Sequence, residues 1–225
     1  MNTDITVDDW RLTPVPLAQR DTAVQALKAG DIPTFFNTAG SEYGLPLLWF
    51  NVEHFQQLGL YERALLYAFT ATRASKRADG EWLDILFHWA DRKRLRDAGQ
   101  ALPGTGPFTL YRGVAGAGRA RCVYGYSWTP SLESAQWFAN RARACYDLPN
   151  PGVYRIVARE DDVLAYLNDG QQEEFIVRPG NIRKPQLACT WEDGIWTPTV
   201  ARQKRRRTST VPQESELLTR GGRHG

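Results

Sequence analysis

The chain has 225 residues, of which 42% are hydrophobic and 24% charged, with a formal net charge of +3. That apolar content fills a core at this length, as one domain or two small ones, so extensive disorder, a collagen-like chain and a disulfide scaffold are excluded. No apolar run approaches the roughly 18 residues of a spanning helix, so no membrane partner is expected. Its strongest short run, Leu45–Phe50, contains Pro46.

Met1-Asn2-Thr3-Asp4 lacks the basic flank and apolar stretch of a signal peptide. Residues 15–100 carry helical signals. Pro16 can open a first helix that Gly30 closes. Ala64, Leu65, Ala68, Phe69 and Thr72 recur at helical spacing. Trp82, Ile85, Leu86 and Trp89 follow i, i+3, i+4, i+7 and are expected on one core-facing side. Gly99 is expected to end that helix after a basic last turn of Arg92, Lys93, Arg94 and Arg96. His54 and His88 receive no chemical role.

The pattern changes at Gly106. Phe108–Tyr111, Cys122–Trp128, Val153–Ala158, Glu174–Val177, Leu187–Trp191 and Ile195–Val200 read as strands, rich in β-branched and aromatic residues. Asp193-Gly194 is a hairpin turn signal between the last two. One helix interrupts the strands near Leu132–Ala144, with Ser131 as its cap and Ala135, Phe138, Ala139 and Ala142 as its apolar stripe. The expected class is α+β: an N-terminal helical portion (1–105), then a mostly antiparallel sheet core with one inserted helix (106–200).

Residues 201–225 hold seven basic and two acidic side chains, a net +5 that leaves the first 200 residues at −2. Few apolar residues accompany them, so this basic tail reads as disordered. Its Lys204–Arg207 cluster can touch nucleic acid or an acidic partner, or simply be solvated. Cys122, Cys145 and Cys189 cannot all pair within one chain, and no C-x-x-C occurs, which fits a reducing cytoplasm. The three histidines lie far apart in sequence and none stands beside a cysteine, so no metal is expected.

Three short segments carry candidate chemistry. In Leu110-Tyr111-Arg112-Gly113, an arginine at a strand end offers a planar cation, and the glycine permits close backbone approach. By itself an Arg-Gly pair is usually only a turn. In Tyr126-Ser127-Trp128-Thr129-Pro130-Ser131, a strand ends in hydroxyl residues before a capped helix. Those hydroxyls can cap the helix, or they can hold the rotamer of a catalytic carboxylate. In Gln171-Gln172-Glu173-Glu174-Phe175-Ile176-Val177, two acids head an apolar strand, where glutamate is depleted. Gln172 and Glu174 share a face. An edge-strand charge against aggregation explains one glutamate, but not the company of the other two segments.

Arg112, Ser127 and Glu174, in this order, resemble the arginine–serine–glutamate class of mono-ADP-ribosyltransferases, relatives of the clostridial and insecticidal binary toxins and of bacterial and phage effectors. The matching motifs are Tyr111-Arg112-Gly113; Tyr126-Ser127-Trp128-Thr129 with Ala135 and Phe138-Ala139; and Gln172-Glu173-Glu174-Phe175-Ile176-Val177. Asp162-Val163-Leu164-Ala165-Tyr166 resembles the family's turn segment before the last motif. The likeness covers about residues 107–200.

It implies a fold of that type and NAD as co-substrate, with no metal. By that likeness Glu174 stabilises the ribose as nicotinamide leaves, and Gln172 positions the acceptor. Arg112 would pair with the phosphates, Gly113 with the carboxamide, and Ser127 with Glu174 and ribose. Thr129 is the second hydroxyl, since Trp128 stands where the family commonly has Ser or Thr. Tyr126 or Trp128 would pack on a ring, or belong to the core. Tyr166 is a candidate contact with the target. A neutral amide at Gln172 cannot serve as base toward a guanidinium, which disfavours arginine as acceptor and favours asparagine, another side chain or a nucleobase. Gln171-x-Glu173 is an alternative register; Glu174 is preferred because it directly precedes the apolar run. Transfer of ADP-ribose to a protein or nucleic acid leads, NAD glycohydrolysis is second, and a non-catalytic binding module on the same fold is third. The chain shows no G-x-G-x-x-G, so the NAD site is not the Rossmann kind.

Overall fold

The structure, a computed structural model, describes residues 10–71, 80–118, 121–170 and 172–199. Thr72, Gln171, Val200 and the basic tail, all named above, lie outside the described residues. The protein is α+β. The helices are α1 (Arg20–Ala29), α2 (Ile32–Asn37), α3 (Gly44–Phe50), α4 (Val52–Gln57), α5 (Tyr61–Ala71), α6 (Gly80–Trp89), α7 (Arg92–Ala98) and α8 (Leu132–Tyr146). The strands are β1 (Phe108–Val114), β2 (Ser127–Trp128), β3 (Gly152–Ala158), β4 (Val163–Asn168), β5 (Glu173–Val177), β6 (Gln186–Glu192) and β7 (Ile195–Pro198).

Several signals act as the sequence predicts. Gly30 ends α1 in the left-handed region at φ 69°. Pro16 caps a single 3-10 turn, Leu17–Gln19, that runs into α1. Ser131 Oγ accepts from Ser134 N at 3.1 Å and starts α8. Asp193 and Gly194 both have positive φ, the geometry of a two-residue hairpin whose twist suits its strands.

The basic run after Trp89 behaves differently. Asp91 caps a separate helix, accepting from Arg94 N at 2.8 Å, so Arg92–Arg96 lie within α7 rather than ending α6. These arginines bond to carbonyls of other elements. Arg94 reaches Gly59 O, and Arg96 reaches Glu160 O and Val163 O. The expected core face of α6 also splits. Leu86 is buried, whereas Trp82, Ile85 and Trp89 are exposed at the surface, with Trp49 stacked against both tryptophans.

Two antiparallel sheets follow, in the orders β1-β3-β6-β7 and β2-β5-β4. Reciprocal backbone bonds between Tyr111 and Thr129, 2.7 and 2.9 Å, join β1 to the end of β2. The expected strand Cys122–Trp128 is reduced to Ser127–Trp128, because the preceding residues form a loop that wraps Arg112. The segment Asp162–Tyr166 is not a turn but mostly β4, paired with β5. No alternation marks it, since both faces are covered. Leu164 and Ala165 join the helical core, and Val163 and Tyr166 join the core between the sheets. The far edge of β4 is covered by the chain leaving α7: Gln100 N bonds Tyr166 O at 2.7 Å, and its side chain bonds Asn168 O at 2.8 Å.

Strand residues Leu164, Ala165 and Ile176, with Tyr126 just before β2, belong to the same apolar cluster as α1–α7, so the helical portion packs directly on the three-stranded sheet. On the outer face of the other sheet, α8 packs over β1 and β3 with Ala135, Val153 and Cys189 between them. No helix among the described residues is long and apolar enough to cross a membrane.

Candidate active site

Arg112 lies on β1, on the same face as Leu110. Its Nε donates to Cys122 O at 3.2 Å and its Nη1 to Ser127 O at 2.8 Å. Two bonds to backbone carbonyls fix the plane of the guanidinium and leave part of its five-donor fork for a ligand. Burial pulls the guanidinium below the usual arginine range, opposed by nearby Cys122 and Glu174. It stays protonated at any working pH.

The seat under this guanidinium is Gly125, where a β-carbon would lie 2.4 Å from Nη2 and 2.5 Å from Cζ of Arg112. Only a glycine admits the arginine in this pose. Gly125 was absent from the sequence reading; its signal is a glycine two residues before Ser127. Gly113 has a different task. A β-carbon there would stand 1.8 Å from Ala135 O and 2.7 Å from Ala139 N, so Gly113 lets α8 rest on β1.

The β2–β5 pairing sets Ser127 and Glu174 on one face, but the expected hydrogen bond from Ser127 to Glu174 is not formed. Ser127 is opposite Ile176 and Trp128 opposite Phe175. Ser127, Glu174 and Ile176 therefore share one face, with Ser127 and Glu174 on a diagonal, a spacing of roughly 7–8 Å in antiparallel sheets. Glu174 Oε1 is buried and has no hydrogen-bond partner. No salt bridge to a described residue reaches this carboxylate. Its neighbour Glu173 points to the opposite face, where it accepts from Tyr166 Oη at 2.5 Å. The two adjacent acids thus differ: Glu173 is exposed and hydrogen-bonded, whereas Glu174 is half-buried with one oxygen sealed and unpaired.

Gln172 is exposed at the tip of the β4–β5 hairpin, where its N–H donates to Asp169 Oδ1 at 2.7 Å. Tyr166 is buried and holds Glu173, so it does not present itself to a target. Tyr126 and Trp128 are also core residues rather than ligand surfaces. The Tyr126 ring stacks on Phe87 at 4.2 Å, and its hydroxyl donates to Asp84 at 2.5 Å. Trp128 is 1% exposed, and its Nε1 donates to Gly125 O at 2.7 Å. Thr129 is buried, and its Oγ1 accepts from Ser131 N at 3.2 Å, so it braces the turn into α8. Burial and the Asp84 partner push the Tyr126 phenol well above its ordinary ionisation range.

The structure thus brings Arg112, Ser127 and Glu174 to one region and assigns Tyr126, Trp128 and Thr129 to the frame around it. Shallow depressions beside Asp21–Thr34 and beside Pro33, Arg63 and Leu167 lie away from these three residues. Among the described residues no cluster of His, Cys, Asp or Glu could hold a metal ion. No family model, curated protein or solved structure matches the chain.

Proposed function

We propose that the protein is a mono-ADP-ribosyltransferase that cleaves NAD at the nicotinamide–ribose bond and passes ADP-ribose to a macromolecule other than through arginine. One observation carries this reading: a carboxylate oxygen, Glu174 Oε1, is enclosed without a donor, on the same face as Ser127 and near the guanidinium of Arg112. A buried acceptor left unpaired costs about 1–3 kcal/mol, and more when charged. A ribose hydroxyl is a donor of the size and polarity to relieve that cost.

The chemistry follows from those parts. As the bond between the anomeric carbon and the pyridinium nitrogen breaks, its electron pair leaves with nicotinamide, and the ribose gains oxocarbenium character. Glu174 opposes that charge from a fixed position, where preorganised electrostatics is worth several kcal/mol. The acceptor nucleophile then bonds to the anomeric carbon and gives its proton to solvent. Arg112 holds a phosphate. Ser127 is on the face where its hydroxyl can meet Glu174 or the ribose. Gln172 is exposed at the hairpin tip, and in this reading it meets the incoming acceptor rather than the NAD.

The test incubates the protein with NAD labelled in its adenylate half and a cell lysate. Label on protein or nucleic acid is the expected result, with mass spectrometry locating the modified group. Free ADP-ribose alone identifies a glycohydrolase. Intact NAD contradicts both enzymatic readings and leaves a binding module.

A further inference from the structure

Arg121 stands out among the charged side chains outside the three site residues. It leaves the β1–β2 loop and crosses to β3, where its guanidinium carbon lies 5.5 Å from the ring centroid of Tyr154. The fit is tight, since a β-carbon on Gly152 would be 2.5 Å from Arg121 Nη2. Tyr154 is the cross-strand partner of Arg112, and Gly152 is the cross-strand partner of Val114. Continuous antiparallel register therefore puts Arg112, Tyr154 and Gly152 on one face of β1–β3, and Arg121 lies over that same face. Neither arginine has a salt bridge to a described carboxylate. Arg121 Nε is buried without a hydrogen-bond partner.

Both arginines belong to one face of β1–β3, with Arg121 against the Tyr154 ring, and each guanidinium fills the space beside a glycine, Gly125 for Arg112 and Gly152 for Arg121. One still has donors of its fork available, and the other has a buried donor unmet. A cation–π contact alone explains the attraction of Arg121 to Tyr154. It leaves Nε unmet, a state shared with Arg96 Nε on α7, although most buried donors are paired. An anion of two linked phosphates would engage both groups, as arginine forks suit phosphate oxygens.

We infer that Arg121 is a second phosphate-binding residue, completing with Arg112 a two-arginine clamp for the diphosphate of a dinucleotide. This deepens the NAD reading and rests on it for the identity of the ligand. Since the diphosphate is remote from the bond that breaks, Arg121 supplies binding that is equal in the ground and transition states. Its loss raises KM and leaves kcat unchanged.

The test uses the full chain and two probes, NAD and ADP, titrated by calorimetry into the wild type and Arg121→Gln. Weakening of both ligands on the order of tenfold to a hundredfold, with the thermal midpoint retained, is expected from the loss of charge-assisted bonds. Wild-type affinities in the variant overturn the clamp while leaving the NAD reading intact. Binding of ADP but not NAD by the wild type, weakened in Arg121→Gln, upholds the clamp and overturns the NAD reading. Binding of neither overturns both. Should the variant fail to fold, phenylglyoxal modification of Arg121 in the wild type supplies the readout. Protection by ADP supports the inference, and unchanged labelling overturns it.

Discussion

The helical portion buries a glutamate and the sheet portion seals one oxygen of a half-buried one, and they treat these in opposite ways. Glu62 on α5 is 6% exposed and fully compensated: Oε1 accepts from Asp91 N at 3.0 Å, and Oε2 pairs with Arg94 at 3.2 Å. Glu174 on β5 has an oxygen equally sealed from solvent and no donor for it. The arginines divide the same way. Arg94 and Arg96 spend their donors on carbonyls and acids of neighbouring elements, whereas Arg112 and Arg121 have no acidic partner within salt-bridge reach among the described residues. The contrast concerns the carboxylates and their ion pairs rather than every polar atom, since Asn51 Oδ1 and Arg96 Nε in the helical portion are also buried without a hydrogen-bond partner. The proposed ligand site rests on that unpaired carboxylate oxygen of Glu174, since a buried acceptor without a donor is costly unless something else supplies one.

The sharpest way to break that contrast is to neutralise each glutamate. Glu174→Gln is expected to lower nicotinamide release from NAD by at least roughly a hundredfold, about 3 kcal/mol of barrier, with the thermal midpoint unchanged or higher. Turnover at the wild-type rate would put Glu174 in the same structural class as Glu62. Glu62→Gln is expected to do the reverse. Chemical denaturation should show a loss of about 1–3 kcal/mol, because the single amide oxygen can accept from Asp91 N–H or from Arg94 but not from both, and the NH2 faces the remaining donor. NAD turnover per folded molecule should stay at the wild-type level.

Arg112→Ala is expected to weaken NAD binding by on the order of tenfold to a hundredfold. It also removes the donors that hold Cys122 O and Ser127 O, so calorimetric titration should be read beside a melting curve. An unchanged dissociation constant would separate Arg112 from the ligand and leave it as a loop clasp.

A smaller effect concerns two tyrosines, Tyr61 inside the helical portion and Tyr126 at its joint with the sheet. Burial, with Glu62 nearby, pushes the Tyr61 phenol above its ordinary range, and burial with Asp84 does the same for Tyr126. In the unfolded chain both ionise near pH 10. The folded state therefore holds more protons above that pH, and stability falls as pH rises past about 10, being fully present below it. Denaturation curves between pH 8 and 11, ranges taken around the tyrosine value, should show this decline, and Tyr126→Phe should make it shallower. A flat profile would contradict the account of these two tyrosines.

Local chemistry made much of the fold legible. Ser131, Gly30 and Asp193-Gly194 act through their own backbone geometry, so their neighbours in sequence suffice to read them. The strand β4 was hidden because Val163–Tyr166 are buried on both faces and show no two-residue period. Asp91 ended one helix and began another within an unbroken helical pattern, where its capping bond outweighed the periodicity. Within the site, Arg112, Ser127 and Glu174 were readable from motif order. The choice of Glu174 over Glu173 agrees with strand alternation, because only Glu174 shares the Ser127 face. Tyr126, Trp128 and Thr129 stand in the same motif but turn toward the core, a distinction that depends on packing from α6 and β5. Gly125 and Arg121 were missed because what makes each of them matter is a contact with another segment of the chain.

The account stands or falls on the unmet oxygen of Glu174. A crystal structure of the protein with a slowly cleaved NAD analogue measures it directly. A ribose hydroxyl within hydrogen-bond distance of Glu174 Oε1, roughly 2.5–3.0 Å, is the predicted result. A ligand seated elsewhere, or a carboxylate still without a donor beside a bound dinucleotide, would contradict it.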